Sequence, residues 1–220
     1  MSDVLRSEPK EQSDGVRVDH TITSGTFSLD GGTWQVENNV WVVGNDTECV
    51  VIDAPHTLEP IVALIGGRRL LGVLCTHAHD DHVTVAVELG ERLGAPVLLH
   101  PDDLPLWRMS YPDAPFEPLV DGQVINVAGI ELHVLHTPGH APGAVCFYAP
   151  DLGTVFTGDT LFHGGPGATG RSYSDFDTIL SSIRGKLLPL PRGTVVHTGH
   201  GRDTLIGDEA DTADFWTKPA

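Results

Sequence analysis

The segment THAHDDH (residues 76–82) follows directly after the apolar run LLGVLC (70–75). This run has the length and composition of a buried strand. The imidazole and carboxylate groups that stand where the strand ends include four residues of the types that bind metals: His77, His79, Asp81 and His82. Such groups are costly to bury, and so dense a cluster is electrostatically unfavourable unless a cation lies among them. The sequence therefore favours a fold that assembles a metal site at the end of a strand.

Three later apolar runs also lead through short turns to a histidine or an aspartate. Their turns read TPGH, TGD and TGH, and they supply His140, Asp159 and His200. Glycine tolerates positive φ, so it permits a sharp exit from each strand. Because loops at one edge of a sheet can bring their side chains to one point, we expect all seven residues to form one site. Single histidines elsewhere, His56 among them, are interpreted as ordinary structural residues.

The spacing within the first segment predicts more than one cation. In an extended segment His77 and His79 point to the same side and can share one ion, whereas Asp81 and His82 lie where the chain turns toward a helix. One ion needs about three or four ligands, so seven suit two ions that share a carboxylate. Imidazole and carboxylate without thiolate favour zinc, iron or manganese. We predict two divalent cations, with zinc expected and iron or manganese as alternatives.

Strand-like runs and helical patterns alternate along the chain, which indicates a layered α/β protein. We predict a flexible tail over residues 1–18 and a single domain over 19–220. The clearest helix lies in 174–183, with Ser174 as its N-cap and Asp177 at the capping-box position.

Composition excludes several classes of partner. The net charge of −17 argues against a nucleic-acid surface, which needs clustered Lys and Arg, and against anionic membranes. No apolar run approaches the about 20 residues that a membrane helix needs. The polar N-terminal sequence lacks a signal-peptide core, so we expect a cytoplasmic protein with a small-molecule substrate. Three scattered cysteines, Cys49, Cys75 and Cys146, predict free buried thiols.

The motifs together resemble those of the metallo-β-lactamase fold superfamily. THAHDDH matches its T-H-x-H-x-D-H signature, and HTPGHAPG (136–143), GDTLF (158–162) and GHG (199–201) follow in the expected order. The resemblance covers about residues 20–205 and implies an αββα four-layer sandwich with the site at one edge. It also implies three ligands for each of two ions and one bridging carboxylate: His77, His79 and His140; Asp81, His82 and His200; and Asp159.

Within the superfamily the chain looks most like glyoxalase II and its short relatives, which carry GDTLF after PGH. This resemblance implies a hydroxide held between the ions at Asp81 and Asp159, which attacks a thioester carbonyl. A thiolate leaves with little acid assistance. We therefore predict hydrolysis of a thioester of a small thiol carrier. A mononuclear iron persulfide dioxygenase is the alternative, since ATGRSYSDF is similar to the G-R-T-D-F element of that class; a lactonase ranks third, and a non-catalytic scaffold below it.

Two further predictions concern residues around the ligands. Asp53, in VIDAP, stands where relatives carry an aspartate that orients a ligand imidazole; a plain strand-end turn residue is the alternative. The element Gly170-Arg171-Ser172-Tyr173 resembles the G-K-x-Y element that contacts glutathione, so we expect Arg171 and Tyr173 to bind a carboxylate or polar thiol carrier, unless they form a simple surface pair. Glyoxalase II proper has a basic C-terminal helical domain, whereas the segment after His200 is acidic, so the thiol carrier stays open.

Overall fold

Two six-stranded β-sheets lie face to face in the computed structural model, which describes residues 15–218. In the order of neighbouring strands, the first sheet consists of β1 (Arg17–Leu29), β2 (Gly32–Gly44), β3 (Glu48–Ile52), β4 (Arg69–Leu74), β5 (Val97–Leu99) and β6 (Glu117–Pro118). In chain order, the second consists of β7 (Val124–Val127), β8 (Ile130–His136), β9 (Val145–Ala149), β10 (Thr154–Gly158), β13 (Val195–Thr198) and β14 (Thr204–Leu205). A short hairpin of β11 (Leu161–Phe162) and β12 (Gly165–Pro166) stands beside them.

Six α-helices occur in the described part of the chain. They are α1 (Leu58–Ile65), α2 (Asp80–Val83), α3 (Ala86–Leu93), α4 (Leu104–Ser110), α5 (Phe176–Ser182) and α6 (Ile206–Thr212). None of the helices in residues 15–218 is long and apolar enough to cross a bilayer.

The alternation of side chains along the strands creates three buried layers. On β2, Val42 packs with the helices α1, α3 and α4, whereas its neighbour Val43 packs against the second sheet. Phe147 and Phe156 meet Val43 from that second sheet. The outer face of the second sheet packs against α5 and α6, where Ile179 belongs to the same cluster as strand residues. The order helix, sheet, sheet, helix confirms the predicted αββα sandwich.

Strand direction explains why the site lies at one edge. β3, β4 and β5 run parallel, and β8 runs in the same direction as β10 because both are antiparallel to β9. β13 is parallel to β10. The carboxyl ends of β3, β4, β8, β10 and β13 therefore carry the loops that were predicted to supply the ligands.

Two predictions about local structure need correction. Most of the predicted 1–18 tail lies outside the described residues, but Arg17 and Val18 already belong to β1, where they pair with β2. The N-cap of α5 is Asp175 rather than Ser174, because the Asp175 carboxylate accepts a hydrogen bond from the Thr178 amide at 2.7 Å. Ser174 closes the preceding turn instead, donating its hydroxyl proton to the Arg171 carbonyl at 2.7 Å.

All three cysteines are free and buried, as predicted.

Candidate metal centre

The structure brings all seven predicted ligands together at the edge defined by the strand ends. Three of them form a first group, in which Nε2 of His77 and Nε2 of His140 each lie 3.0 Å from Nδ1 of His79. The outer nitrogen of His140 donates a hydrogen bond to the Ala168 carbonyl at 2.8 Å. That of His77 lies 3.1 Å from the Thr76 hydroxyl, which gives its own proton to a carboxylate. The inner nitrogens of His77 and His140 therefore present lone pairs to the group.

A second group forms around Asp81, His82 and His200. Nε2 of His200 lies 3.3 Å from both Nε2 of His82 and Oδ2 of Asp81, and the remaining pair, His82 Nε2 and Asp81 Oδ2, is 3.8 Å apart. The outer nitrogens are again occupied. Nδ1 of His82 lies 2.7 Å from the Asp53 carboxylate, and Nδ1 of His200 lies 2.6 Å from the Glu37 carbonyl. Asp53 thus makes the kind of contact that was predicted for it.

Asp159 stands between the two groups. Its Oδ2 lies 3.5 Å from Nε2 of His140 in the first group and 3.5 Å from Nε2 of His200 in the second. Its Oδ1 lies 3.3 Å from Nε2 of His82. One carboxylate therefore reaches both groups, which is the position of a bridging ligand.

The electrostatics of the two groups differ. Burial lowers the pKa of His77 well below its usual value and that of His79 to about 3, and neighbouring imidazoles add to the effect. Burial also lowers the pKa of His140. These three imidazoles are therefore neutral near pH 7, the form in which histidine binds a metal.

In the second group carboxylates reverse the effect of burial. Burial alone lowers the pKa of His200, but Asp159 and Asp81 outweigh it and raise that pKa to about 10. Burial likewise raises the pKa of Asp159, yet His200 and His82 together hold it well below its usual value. This group thus binds protons tightly between its carboxylates and imidazoles, and a divalent cation would compete with those protons for the same atoms.

The donor set fits two divalent cations. The first group offers three imidazoles, and the second offers two imidazoles and the Asp81 carboxylate. The outer nitrogens of four of these imidazoles are already hydrogen-bonded, so that their inner lone pairs converge: His77, His140, His82 and His200. Within each group the ligand atoms lie within 4.8 Å of one another. Thiolates are missing from both groups, so the set suits zinc, iron or manganese.

A cavity of about 150 Å³ opens onto both groups. Its lining combines ligands with residues of β1, β2 and the loop before α5: Phe27, Val36, His79, Asp81, His140, Asp159, Ala168, Arg171, Ser172, Ser174 and His200. The Arg171 guanidinium stacks on the Trp34 ring, 3.7 Å from its centroid, and lies 4.9 Å from that of Phe27. The Tyr173 side chain, by contrast, is 47% exposed and does not line this cavity. Of the predicted pair Arg171 and Tyr173, only Arg171 therefore faces the site.

Sequence reasoning missed three residues that contact ligand atoms or hold the segments around them. Asn38 is fully buried on β2, and its amide nitrogen touches ligand atoms of the second group. His56, interpreted from the sequence as an ordinary structural residue, donates to the Asn38 amide oxygen at 2.8 Å. Asp103 accepts hydrogen bonds from the backbone amides of Ala78 and Gly143. The one available signal was the pair of amides in VENNV, which stands unusually close to the apolar run of a buried strand.

A further combination of potential ligands, His100, Asp102 and His136, does not have metal-site geometry. The two imidazole rings stack with centroids 3.9 Å apart and planes only 12° from parallel. Lone pairs lie in the ring planes, so in a parallel stack they run side by side instead of converging on one ion.

Comparison with known proteins gives consistent results. Residues 33–200 match the family model of the metallo-beta-lactamase superfamily. The chain is 34% identical over 186 residues to the probable metallo-hydrolase YqgX of Bacillus subtilis (strain 168), covering 78% of this chain and 88% of that protein. It is 35% identical over 189 residues, with coverages of 78% and 88%, to the hydroxyacylglutathione hydrolase GloC of Haemophilus influenzae (strain ATCC 51907 / DSM 11121 / KW20 / Rd). The crystal structure of TTHA1623 in a di-iron-bound form matches with a TM-score of 0.74 and 36% identity, covering 88% of this chain and 100% of that chain.

Proposed function

The chain belongs to the metallo-beta-lactamase superfamily, and from this premise we propose that it is a metal-dependent hydrolase that cleaves a thioester of a small thiol carrier. One observation carries the proposal. Two groups of ligand atoms share Asp159, and both face a cavity large enough for a small substrate group.

The two groups that share Asp159 would hold two divalent cations, which would supply the Lewis-acid chemistry that activates water at neutral pH and polarises a carbonyl oxygen. The protein's own contribution begins with Asp81 and Asp159, whose carboxylates line the cavity. Burial opposes their ionisation, but neighbouring imidazoles keep the pKa of both below the usual value, so both are anions at pH 7. They accept hydrogen bonds from the attacking water and orient it toward the substrate carbonyl.

The choice of leaving group follows from the rest of the lining. Apart from the proposed ligands, the polar side chains of the described cavity are Arg171, Ser172 and Ser174, so the cavity has no carboxylic acid or imidazole outside the ligand set that could give a proton to a leaving group. An alkoxide or amine would need such a proton to leave. A thiolate leaves without one, because thiols have a pKa of about 8.5. The cavity therefore favours a thioester over an ester or an amide.

Recognition of the carrier is assigned to Arg171. Its guanidinium is held flat by Trp34, at 3.7 Å from the ring centroid, and faces the same cavity as the ligands. A planar guanidinium suits bidentate binding of a carboxylate. The name of the relative GloC, a hydroxyacylglutathione hydrolase, supports a thiol conjugate as the substrate class.

Metal analysis combined with an activity panel tests the proposal. The protein as purified, and after loading with zinc, iron or manganese, is assayed against thioesters of several carrier thiols, lactones and a persulfide. We expect about two ions per chain and thioester hydrolysis. His79→Ala and Asp159→Ala should lose both metal and turnover, whereas His133→Ala, which alters a half-buried histidine paired with Glu131, should lose neither.

Three outcomes would contradict the proposal. One iron per chain with oxygen consumption on the persulfide, and no thioester cleavage, would identify a dioxygenase. Cleavage of lactones in preference to thioesters would identify a lactonase. Unchanged function of His79→Ala in cells that depend on the protein would indicate a scaffold.

A further inference from the structure

We infer that Asn38 is an additional metal ligand, binding through its side-chain oxygen at the second group, and that His56 determines which way the Asn38 amide points. The inference rests on the metal site proposed above. It adds a neutral ligand from the middle of a strand to a set that otherwise comes from strand ends.

The topology brings Asn38 to the site edge. β2 is antiparallel to β3, and their last pair in this direction is Trp41 with Ile52. Residues that precede Trp41 on β2 therefore extend past the carboxyl end of β3, where the ligand loops lie. Asn38 is 0% exposed there, although an asparagine is costly to bury without partners.

Asn38 adds a fourth atom to those of Asp81, His82 and His200, beside the shared carboxylate of Asp159. Nδ2 of Asn38 lies 3.1 Å from Oδ2 of Asp81, 3.3 Å from Nε2 of His82 and 3.3 Å from Nε2 of His200. The other three separations are 3.3, 3.3 and 3.8 Å. Four ligand atoms in a tetrahedron at about 2.0–2.2 Å from one ion are about 3.3–3.6 Å apart. The terminal atom of the Asn38 amide thus occupies the fourth corner of a nearly regular tetrahedron.

Which atom of the amide takes that corner depends on charge. As placed, Nδ2 faces Oδ2 of Asp81 and the Nε2 atoms of His82 and His200, and Oδ1 accepts a hydrogen bond from Nε2 of His56 at 2.8 Å. A cation among the same atoms repels the N–H protons and attracts the carbonyl oxygen. Rotating the amide by half a turn exchanges its two ends, which have the same shape. Nδ2 then donates to Nε2 of His56, provided that His56 is the neutral tautomer with its proton on Nδ1.

The position of His56 is specific and structurally demanding. Its backbone has φ of 55°, in the left-handed region that non-glycine residues rarely adopt. Its ring lies against Gly25 on β1, where a Cβ atom would overlap Nδ1 of His56. A strained backbone and a side-chain-free neighbour both serve to direct this imidazole at Asn38, and such strain is typical of functional sites. Its contact with Asn38 is therefore a built feature of the site.

Metal titration of matched variants tests the inference. Asn38→Ala removes the ligand, Asn38→Asp retains an oxygen, and His56→Phe keeps the ring shape without the nitrogens. Asn126→Ala is the control, since Asn126 is exposed on β7. Each protein is stripped, reloaded with cobalt(II), and examined by competitive chelator titration and visible absorption, with ions per chain counted. Circular dichroism and thermal melts of the metal-free variants establish that each one folds.

We expect Asn38→Ala to keep the first ion and to weaken the second by more than about 100-fold, which exceeds the effect usually caused by residues outside the ligand set. The absorption of the second cobalt ion should change with the lost oxygen. Asn38→Asp, which retains an oxygen at this position, should still bind two ions per chain. His56→Phe should weaken binding of the second ion to a smaller extent than Asn38→Ala.

Weaker binding in Asn38→Ala with an unchanged cobalt spectrum would overturn the assignment as a ligand, because only positioning would be lost. Unchanged affinity would overturn it as well. An unchanged second ion in His56→Phe would remove His56 from the inference. None of these results depends on turnover, so failure of the proposed thioester hydrolysis is recognised separately in the wild-type protein with both ions bound.

Discussion

The Asp53 carboxylate accepts a hydrogen bond from Nδ1 of His82 across 2.7 Å, and this contact determines which nitrogen of His82 faces the metal centre. The same carboxylate accepts the Thr76 amide proton at 2.7 Å and the Thr76 hydroxyl proton at 2.8 Å. Asp53 therefore ties the end of β3 to the segment that follows β4 and to the short helix α2. All three contacts are buried, so the negative charge of Asp53 acts at close range.

Asp53→Asn should weaken the second ion. The amide has nearly the shape of the carboxylate, but it can accept at only one end, so either the Thr76 backbone amide loses its partner or the Thr76 hydroxyl and Nδ1 of His82 both do. We expect a rise of about 10–100-fold in the dissociation constant of the second ion. Competitive chelator titration measures it. Asp46→Asn is the control, because the Asp46 side chain is 88% exposed and pairs with Arg17, far from the ligands in the fold. Equal affinity in Asp53→Asn and wild type would show that Asp53 does not orient His82.

How much of this site could be predicted from the sequence depends on where each residue lies relative to its strand. His140, Asp159 and His200 follow apolar runs through glycine-containing turns, and that local pattern was sufficient to group them with the 77–82 cluster. The four-layer fold was predicted from the same runs together with the family resemblance. Asn38 has no such local signal, since its proximity to Asp81 depends on the register of β2 against β3.

The loop before α5 shows a second limit of prediction from the sequence. Arg171 and Tyr173 have the same spacing as the pair they resemble, yet only Arg171 lines the cavity. Tyr173 has φ of 71°, and this left-handed conformation depends on how the turn closes on Ser174. Neither residue type nor spacing encodes that turn, so a motif of four residues could not predict the direction of both side chains.

Outside the ligand set, we expect substitution of Asp103 to lower the free energy of unfolding. It is fully buried and accepts hydrogen bonds from the amides of Ala78 and Gly143, which lie in the loops of His77, His79 and His140. In Asp103→Asn one of these amides faces an NH₂ group, and we expect a loss of about 1–3 kcal/mol in the free energy of unfolding at pH 4 to 5, where the wild-type carboxyl is still protonated. Chemical denaturation of the metal-free protein measures it. Asp102→Asn, at a side chain 61% exposed, should change stability little.

Asp103 should also make the stability of the folded protein depend on pH. Burial raises the pKa of Asp103 to about 7, against the lowering effect of its two backbone donors. In the unfolded chain the carboxyl titrates near its usual pKa of about 3.9. The folded state therefore binds this proton more tightly than the unfolded chain does. The resulting stabilisation of the folded state is complete below pH 4, declines as pH rises toward 7 and is lost above pH 7. It amounts to up to about 4 kcal/mol.

Unfolding free energies of wild type and Asp103→Asn between pH 4 and pH 8 test this dependence, because titrations common to both proteins cancel in the difference. The stability of wild type relative to the variant should fall as pH increases. A difference that stays constant over this range would show that Asp103 titrates normally in the folded protein.

The three cysteines should be unreactive until the protein unfolds. Burial raises the pKa of Cys146 to about 11 and that of Cys75 well above its usual value, and it also raises the pKa of Cys49. Only the thiolate attacks an alkylating reagent. We expect no modification by iodoacetamide at pH 8 in the native protein and three modified cysteines in denaturant, as counted by mass spectrometry. Rapid labelling of any one cysteine in the native state would contradict its burial.

Arg171 should determine preference for charged substrates. Stacked on Trp34, its guanidinium is already ordered, so little side-chain entropy is lost when it binds a carboxylate in the cavity. A hydrogen bond to a charged group contributes about 1.5–3 kcal/mol, which corresponds to about a 10–100-fold loss in kcat/KM on truncation. Arg171→Ala should show that loss for a thioester whose carrier bears a carboxylate, and almost none for an uncharged thioester of similar size. Arg108→Ala, an exposed arginine on α4, is the control. Equal losses on the two substrates would mean that Arg171 supports the cavity wall without recognising charge.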